Sequence, residues 1–317
     1  MTRHNYNYYM NSKNTILVIE DLGVPMDNFK KNASEAGLPF DIVLENIDPT
    51  NIQGIITVKT KVGSQLIDKY PNLKFIAVAF TGYDCVDMEA CKQKNISVFN
   101  VPAYSTKSVA ELTIGLAISL LRELPKAANI VQGGKWGLKP GFELSNKKIG
   151  ILGTGEIGIT TAKYFKTFGC EVIGWSRTER DEFKLYGTYV DDLIELFSNS
   201  DIISIHLPLN DKTTGIVGEK ELSLMKSNAY LINAARGPII DEISLYQLLK
   251  DEKIAGAAID VFDKEPLEND SLFLQLSNML LTPHIAYKTV EALNRRAQIT
   301  IDNISHFVKG VPINKVN

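Results

Sequence analysis

The sequence predicts an α/β protein of two domains, each built around a parallel sheet. Short apolar, β-branched runs alternate with helical patterns almost from the first residues, the signature of βαβ units. A glycine pattern, GTGEIG, follows one such run near mid-chain. At 317 residues the chain is long enough for two ordinary cores.

The first series of elements opens with TILVIE (15–20), read as a buried strand, and a helix that stops at Gly37. FDIVLE (40–45), GIITVK (54–59), LKFIAVAF (73–80) and ISVFNV (96–101) continue it as strands, with a helix at 88–94. A long amphipathic helix is expected at 108–123, then a glycine-rich loop or arm over 132–148. The second series of strands is KIGILG (148–153), EVIGWS (171–176), DIISIHL (201–207), AYLINAA (229–235), GAAIDVF (256–262) and MLLTPH (279–284). A last helix, 289–309, spaces Val290, Leu293, Ala297, Ile301, Ile304 and Val308 at three to four residues and ends at Gly310 and Pro312.

Composition narrows the class. Hydrophobic residues make up 44% and charged residues 22%, as in soluble globular proteins, and the net charge of -3 offers no basic field for nucleic acid or anionic membrane. The polar, tyrosine-rich start has no signal-peptide core and reads as a loose extension in which Met10 is an alternative start. VAELTIGLAISLL (109–121) is too short to span a bilayer and carries Glu111. Cys85, Cys91 and Cys170 show no metal or CxxC spacing, so reduced thiols in a cytoplasmic protein are expected, with no metal site.

Gly153, Gly155 and Gly158 form GxGxxG between an apolar strand and a helix, with a second strand after Gly169, the context that a dinucleotide fingerprint requires. Gly153 would allow the tight turn and Gly155 the approach of a pyrophosphate. Gly158 would allow close helix packing, while Glu156 and Ile157 begin the helix whose amides face the phosphates. An NAD site expects a carboxylate at the end of the second strand. Here the run is WSRTER, with Ser176, Arg177 and Thr178 in its place. No carboxylate repels a 2′-phosphate there and Arg177 can pair with one, so NADP(H) is favoured over NAD(H).

These motifs, taken in order, resemble the D-isomer-specific 2-hydroxyacid dehydrogenases. TGYDCVDMEACKQKNISVFNVPAYSTKSVAE (81–111) is similar to that family's substrate-domain signature, LGTGEIG to its nucleotide loop and HLPLNDKTTG (206–215) to its adenosine-side segment. LINAARGPIIDE (231–242), IAGAAIDVFDKEPL (254–267) and LLTPHIA (280–286) are similar to its catalytic segments. The resemblance implies catalytic roles for Arg236, Glu265 and His284. It places His206, Pro208 and Thr213 on the adenosine and phosphate side, Ala234 and Ala286 beside the nicotinamide, and Asp260 at its carboxamide. It also places Lys59, Thr81, Gly82 and Arg236 at the substrate.

The chemistry agrees. Reducing a 2-oxo acid needs a hydride at C2 and a proton at its oxygen, and histidine is the natural donor near neutral pH. A carboxylate on the far ring nitrogen fixes the tautomer, and an arginine fork orients the substrate carboxylate. By default a lone histidine beside apolar residues is structural, which is the reading given to His306. His206 invites the same reading from its position at a strand end. His284 differs because an arginine and a carboxylate end neighbouring segments.

The expected architecture is thus Rossmann-like and flavodoxin-like. A cofactor domain (105–285) is inserted in a substrate domain (1–104 and 286–317), with a cleft between them. The expected activity is hydride transfer between a nicotinamide cofactor and a small D-2-hydroxy or 2-oxo acid, with a lean towards the glyoxylate and hydroxypyruvate reductases. A homodimer through the cofactor domain, with the arm around Trp136 as a contact, is implied. The ending at Asn317 disfavours the long allosteric phosphoglycerate enzymes, and Tyr287 and Lys288 stand where the family has small residues. The rival readings are a dinucleotide-sensing binding protein or corepressor on the same fold, and an enzyme of the alanine dehydrogenase or adenosylhomocysteinase kind. The full Arg236, Glu265 and His284 set argues against the first. The motif order argues against the second.

Overall fold

The computed structural model describes residues 14–45 and 48–317, so the expected loose start with Met10 lies outside the described residues. The chain forms two compact units, one of residues up to Tyr104 together with Thr289–Asn317, the other of Ser105–Lys288.

In the first unit, β1 (Thr15–Val18), α1 (Met26–Glu35), β2 (Asp41–Val43), β3 (Ile52–Thr57), α2 (Ser64–Asp68), β4 (Phe75–Val78), α3 (Met88–Gln93) and β5 (Ser97–Phe99) follow one another. The strands pair in parallel in the order β2-β1-β3-β4-β5, the flavodoxin arrangement. The C-terminal helix, Val290–Val308, returns to this unit and packs on α1 and β4. Thr289 caps its start by accepting the Ala292 amide at 3.2 Å. Of its expected apolar stripe, Leu293, Ala297, Ile301 and Ile304 are buried. Val290 and Val308, in the first and last turns, are 72% and 43% exposed, so the buried face is shorter than the periodicity implied. Beyond the helix, the tail lies along the edge of β5: Val316 N–H donates to Val98 O and the Asn317 side chain accepts from Val98 N–H.

The second unit begins with α4 (Thr106–Arg122) and α5 (Leu124–Gln132). It continues through β6 (Lys148–Leu152), α6 (Glu156–Thr167), β7 (Glu171–Trp175), β8 (Thr188–Tyr189), α7 (Leu193–Asn199), β9 (Ile202–Ile205), α8 (Glu219–Ser223), β10 (Tyr230–Asn233), α9 (Glu242–Lys250), β11 (Gly256–Ile259) and β12 (Met279–Leu281). All seven strands are parallel, in the order β12-β11-β10-β9-β6-β7-β8. Alternate residues of each strand point to opposite faces, and both faces are apolar, as a parallel sheet covered on two sides requires. Ile149, Ile151, Ile202 and Ile232 face α4 and α6 through Ala117, Leu121, Ala162 and Phe165. Ile203, Ile205, Leu231 and Ile259 face α7, α8 and α9 through Phe197, Leu222, Leu245 and Leu249. Each such large apolar side chain contributes about 1.5–3 kcal/mol on full burial.

Two local differences from the sequence expectation have clear causes. The amphipathic helix does not simply end near residue 123. Glu123 adopts a left-handed conformation (φ 47°), and Pro125, in the first turn of a new helix, restarts the chain as α5. The strands expected to reach residues 207, 235, 262 and 284 stop at Ile205, Asn233, Ile259 and Leu281. Their apolar runs continue because the loops that follow are themselves buried, as at Val261, Phe262 and Ala286.

Cys91 and Cys170 are buried, and burial pushes both thiols up to about 11, helped at Cys91 by the charge of Asp87. Cys85 is half-buried. Iodoacetamide at pH 8 should therefore label Cys85 first in the folded protein, and the other two only after unfolding. Peptide mass spectrometry reads the order, and fast labelling of Cys91 in the native state would contradict it.

Candidate active site

The carboxyl ends of seven parallel strands open on one edge of the second sheet, and the candidate residues of the second unit lie there. The chain runs outward from β6 to β8 and then returns to β9 on the other side of β6, which makes the crevice after β6 and β9 the reversal point at which such sheets bind ligands. Gly153 follows β6 with φ +99°, and a Cβ on it would stand 2.7 Å from the carbonyl oxygen of His206, just after β9. The turn is therefore closed to any other residue. A Cβ on Gly158 would meet the Gly153 oxygen at 2.0 Å, so α6 sits directly on the turn.

Gly155 is different: a Cβ there would meet nothing within 4 Å. It caps α6 with no side-chain hydrogen bond, which leaves the first helix amides facing that open space. Uncapped amides, a positive dipole end and room in front of them suit a phosphate. The residues present fit a dinucleotide.

The run after β7 is exposed from Arg177 to Arg180. Glu179 and Asp181 share Lys184, each at 3.1 Å, and Arg180 pairs with Glu156 at 2.8 Å. Arg177 has no ion-pair partner among the described residues. Sequence reading did not anticipate the Glu156–Arg180 pair, since nothing in a helix start and a loop 24 residues apart announces their contact.

On the adenosine-side segment, Thr213 is buried and its hydroxyl donates to Pro208 O at 2.6 Å. It also accepts the Asn210 amide at 2.9 Å, so it braces the loop, while Pro208 is exposed. His206 shares a 2.8 Å hydrogen bond between Nε2 and Ser204 Oγ.

Beyond β10, β11 and β12 lie the other candidates. His284 Nδ1 stands 2.9 and 2.7 Å from the two carboxylate oxygens of Glu265, with side chains 12% and 30% exposed. Glu265 Oε1 also accepts the Phe262 amide at 3.2 Å. His284 is not a strand end: it lies three residues past Leu281, with φ +50°. Such a left-handed position costs a non-glycine residue about 1–2 kcal/mol and persists only when the surroundings hold it.

Asp260 provides that hold. It is fully buried, and Oδ1 accepts from Thr282 Oγ1 (2.6 Å) and the Ile285 amide (2.9 Å). Oδ2 accepts the Ala286 amide at 2.9 Å. The residue expected at a nicotinamide carboxamide thus brackets His284 from both sides along the chain. The ring of Tyr287 stands edge-on to the imidazole at 5.6 Å and 83°.

Arg236 is half-buried, with Nη1 on the Ala235 carbonyl at 2.8 Å. Its turn is fixed by buried Asn233, which donates to Arg236 O (2.9 Å) and accepts the Ala235 amide (3.0 Å). Gly237, where a Cβ would come within 2.1 Å of the Phe262 backbone, lets this turn press against the segment leading to Glu265. Asn233 and Gly237 were not singled out from the sequence. The NAARG motif contains both, and the polar residue at a buried strand end was the available signal. Ala234 is half-buried in the same turn and Ala286 is buried.

The structure brings Glu265, His284 and Asp260 together, and puts Arg236 at the end of the strand next to β11. Lys59, Thr81 and Gly82 belong to the first unit, after the neighbouring strands β3 and β4. There Glu20 accepts the amides of Val58 (3.0 Å), Lys59 (2.6 Å) and Thr60 (2.7 Å), which hold its carboxyl below the usual range despite burial. Lys59 Nζ lies 5.5 Å from the Phe80 ring, and Thr81 Oγ1 donates to Val101 O at 2.9 Å.

The family pattern described as the NAD binding domain of D-isomer specific 2-hydroxyacid dehydrogenases matches residues 114–286. A glyoxylate reductase of Thermococcus litoralis is 39% identical over 292 residues, covering 88% of this chain and 87% of the relative. Among solved structures, an acyclic imino acid reductase in complex with NADPH and D-Arg superposes with a TM-score of 0.85 at 31% identity, covering 96% of this chain and all of the other. A D-lactate dehydrogenase from Aquifex aeolicus complexed with NAD and lactic acid does so at 0.83, also at 31% identity, over 94% and 96%. No helix among the described residues is long and apolar enough to cross a membrane.

Burial pushes the pKa of His206 down to about 3, so its ring is neutral in the folded protein near pH 7. An unfolded chain takes up a proton at such a residue below about 6.5, so the folded state binds fewer protons between those values. Stability from His206 is therefore full above pH 6.5 and is lost as pH falls towards 3. In an NMR titration the His206 imidazole signals should stay fixed from pH 8 to 5, whereas a midpoint near 6.5 would contradict the burial argument.

Proposed function

The chain belongs to the D-isomer-specific 2-hydroxyacid dehydrogenase family and is an NAD(P)-dependent oxidoreductase; from that premise we propose an NADPH-preferring reductase of small 2-oxo acids, glyoxylate and hydroxypyruvate first among them. The observation that carries the catalytic part is the His284–Glu265 pair at the carboxyl edge of the sheet. With Nδ1 held by a carboxylate, Nε2 is left to carry the proton. His284 delivers that proton to the C2 oxygen as C2 becomes tetrahedral, and takes it back in the oxidative direction. Glu265 fixes the ring's tautomer and balances the imidazolium charge. Arg236 receives the substrate carboxylate through its planar fork, which both neutralises it and aligns C2. Lys59, Thr81 and Gly82 are the proposed substrate contacts from the first unit.

The bound nicotinamide supplies the hydride. Gly153, Gly155 and Gly158, with the amides of Glu156 and Ile157, hold its pyrophosphate, and Ser176, Arg177 and Thr178 its adenosine 2′ side. His206, Pro208 and Thr213 flank the adenosine, and Ala234 and Ala286 the nicotinamide. For Asp260 the hydrogen bonds favour a different part from the carboxamide contact, that of holding the His284 turn. The choice of NADPH rests on local charge. Glu156 and Glu179 are each paired with a cation while Arg177 has no ion-pair partner among the described residues, so a 2′-phosphate finds an uncommitted guanidinium there.

A homodimer through the second unit is proposed, supported by the exposure of Trp136 (92%) and Phe142 (55%) on its arm. A cytoplasmic setting with small-molecule partners, and not nucleic acid, fits the net charge of -3.

The test is oxidation of NADPH and NADH by the purified protein against glyoxylate, hydroxypyruvate, pyruvate and longer 2-oxo acids. Turnover with the two short acids and NADPH is expected. Silence across the panel despite tight cofactor binding would move the reading to a dinucleotide sensor. His284→Ala should lower kcat by about 10²–10⁴-fold with cofactor affinity unchanged, the span ascribed to a general acid. Equal turnover in variant and parent would remove the proton-donor role. Arg177→Ala should weaken NADPH by about tenfold or more, the worth of a charged hydrogen bond, while NADH binding barely moves. An equal loss for both cofactors would remove the 2′-phosphate argument.

A further inference from the structure

The loop that carries Ser176, Arg177 and Thr178 is tied down at its far end by a side chain that plays no part in the chemistry above. Tyr189, on the two-residue strand β8, presents its hydroxyl to two places at once. It accepts the backbone amide of Arg180 at 2.9 Å and shares a 2.7 Å hydrogen bond with Thr154 Oγ1. Thr154 is buried within the glycine turn itself, between Gly153 and Gly155. The guanidinium of Arg180 meanwhile pairs with Glu156, the first residue of α6. Backbone and side chain of Arg180 are thus both fastened to the turn that faces the open space before Gly155.

We infer that Tyr189 is a positioning residue for cofactor choice: by bridging Thr154 and Arg180 it holds the 176–180 loop at a fixed distance from the phosphate turn. The inference rests on the NADPH reading proposed above. A dinucleotide phosphate presents two anionic groups, the pyrophosphate and the 2′-phosphate, at a separation set by its own covalent frame. A loop free to drift would have to be ordered by the ligand, at an entropic cost. A loop already fastened meets the second phosphate without that cost. A cofactor without a 2′-phosphate draws little on the loop, so the bridge favours one cofactor and is neutral to the other. The same fastening keeps Arg180 on Glu156, so that the carboxylate nearest the uncapped amides does not repel phosphate, and leaves Arg177 as the outward cation.

Tyr189 is well placed for a clean test. Its ring packs against buried Phe183 at a centroid distance of 4.8 Å, so Tyr189→Phe keeps the packing and removes only the hydroxyl. Binding of NADPH and of NADH is measured by isothermal titration calorimetry in parent, Tyr189→Phe, Thr154→Val and the double variant, with Tm recorded for each. The expectation is NADPH binding weakened by about three- to tenfold in Tyr189→Phe, the range for loss of a hydrogen bond, with NADH within about twofold and Tm little changed. The double variant should be no worse than Tyr189→Phe, because the two hydroxyls belong to one bridge. Undiminished NADPH preference in Tyr189→Phe, with the parent preferring NADPH, would overturn the inference and leave the cofactor reading intact. An equal loss for both cofactors would also overturn it, by showing a general structural role. A parent that binds NADH as tightly as NADPH would overturn the cofactor reading itself, and the inference with it.

Discussion

A buried carboxyl group must find donors for its oxygens, and in the second unit Asp260 finds all of its own on the segment that carries His284. That requirement sets the geometry of the site. With Thr282, Ile285 and Ala286 fastened to one side chain at the end of β11, the residues between them have little freedom, and His284 is held in a conformation it would otherwise avoid. Glu265, six residues after Ile259 has ended β11's ladder with β12, reaches the imidazole from the same loop as Asp260. One strand end therefore supplies both the clamp on the backbone of the histidine turn and the partner of its ring.

The same economy of means appears across the sheet. Asn233 fixes the Arg236 turn through two hydrogen bonds to backbone, and Thr213 braces the loop after β9 in a similar way. In each case a polar side chain, buried or nearly so at a carboxyl strand end, satisfies local amides and carbonyls and so converts a loop into a rigid mount. The apolar strands beneath contribute the stability, and the polar strand ends contribute the shape.

How much of this was legible in the sequence depended on what each residue leaves behind in local pattern. The glycines of GTGEIG were legible because the physical demands on them, a positive φ at Gly153 and a close approach at Gly158, exclude other residues at a fixed spacing. The parallel sheets were legible because burial on both faces produces unbroken apolar runs. The strand ends were overrun because the loops that follow, around Val261 and Ala286, are equally buried and equally apolar. The clamp of Asp260 was not legible, since its partners lie 22 to 26 residues away and two of them are backbone amides that any residue supplies. β8 was missed because two residues are too few to show a period of two. The break at Glu123 left no mark because glutamate is an ordinary helix residue, and only its neighbour Pro125 hinted at a restart.

The first unit is discontinuous, and its fifth strand is edged by the tail that carries Val316 and Asn317. On the ribosome this has a consequence. The chain emerges from its N-terminal end, so the strands β1 to β5 are made long before the helix and tail that complete their unit, and the whole second unit is synthesised in between. The inserted unit is contiguous and holds its own core, so it has everything it needs while translation continues. The first unit must wait for the final residues to cover Phe75 and Phe99, which Phe307 contacts at 5.1 and 5.5 Å, and to close the open edge of β5. Loss of a few C-terminal residues would thus fall hardest on the part of the protein that was translated first.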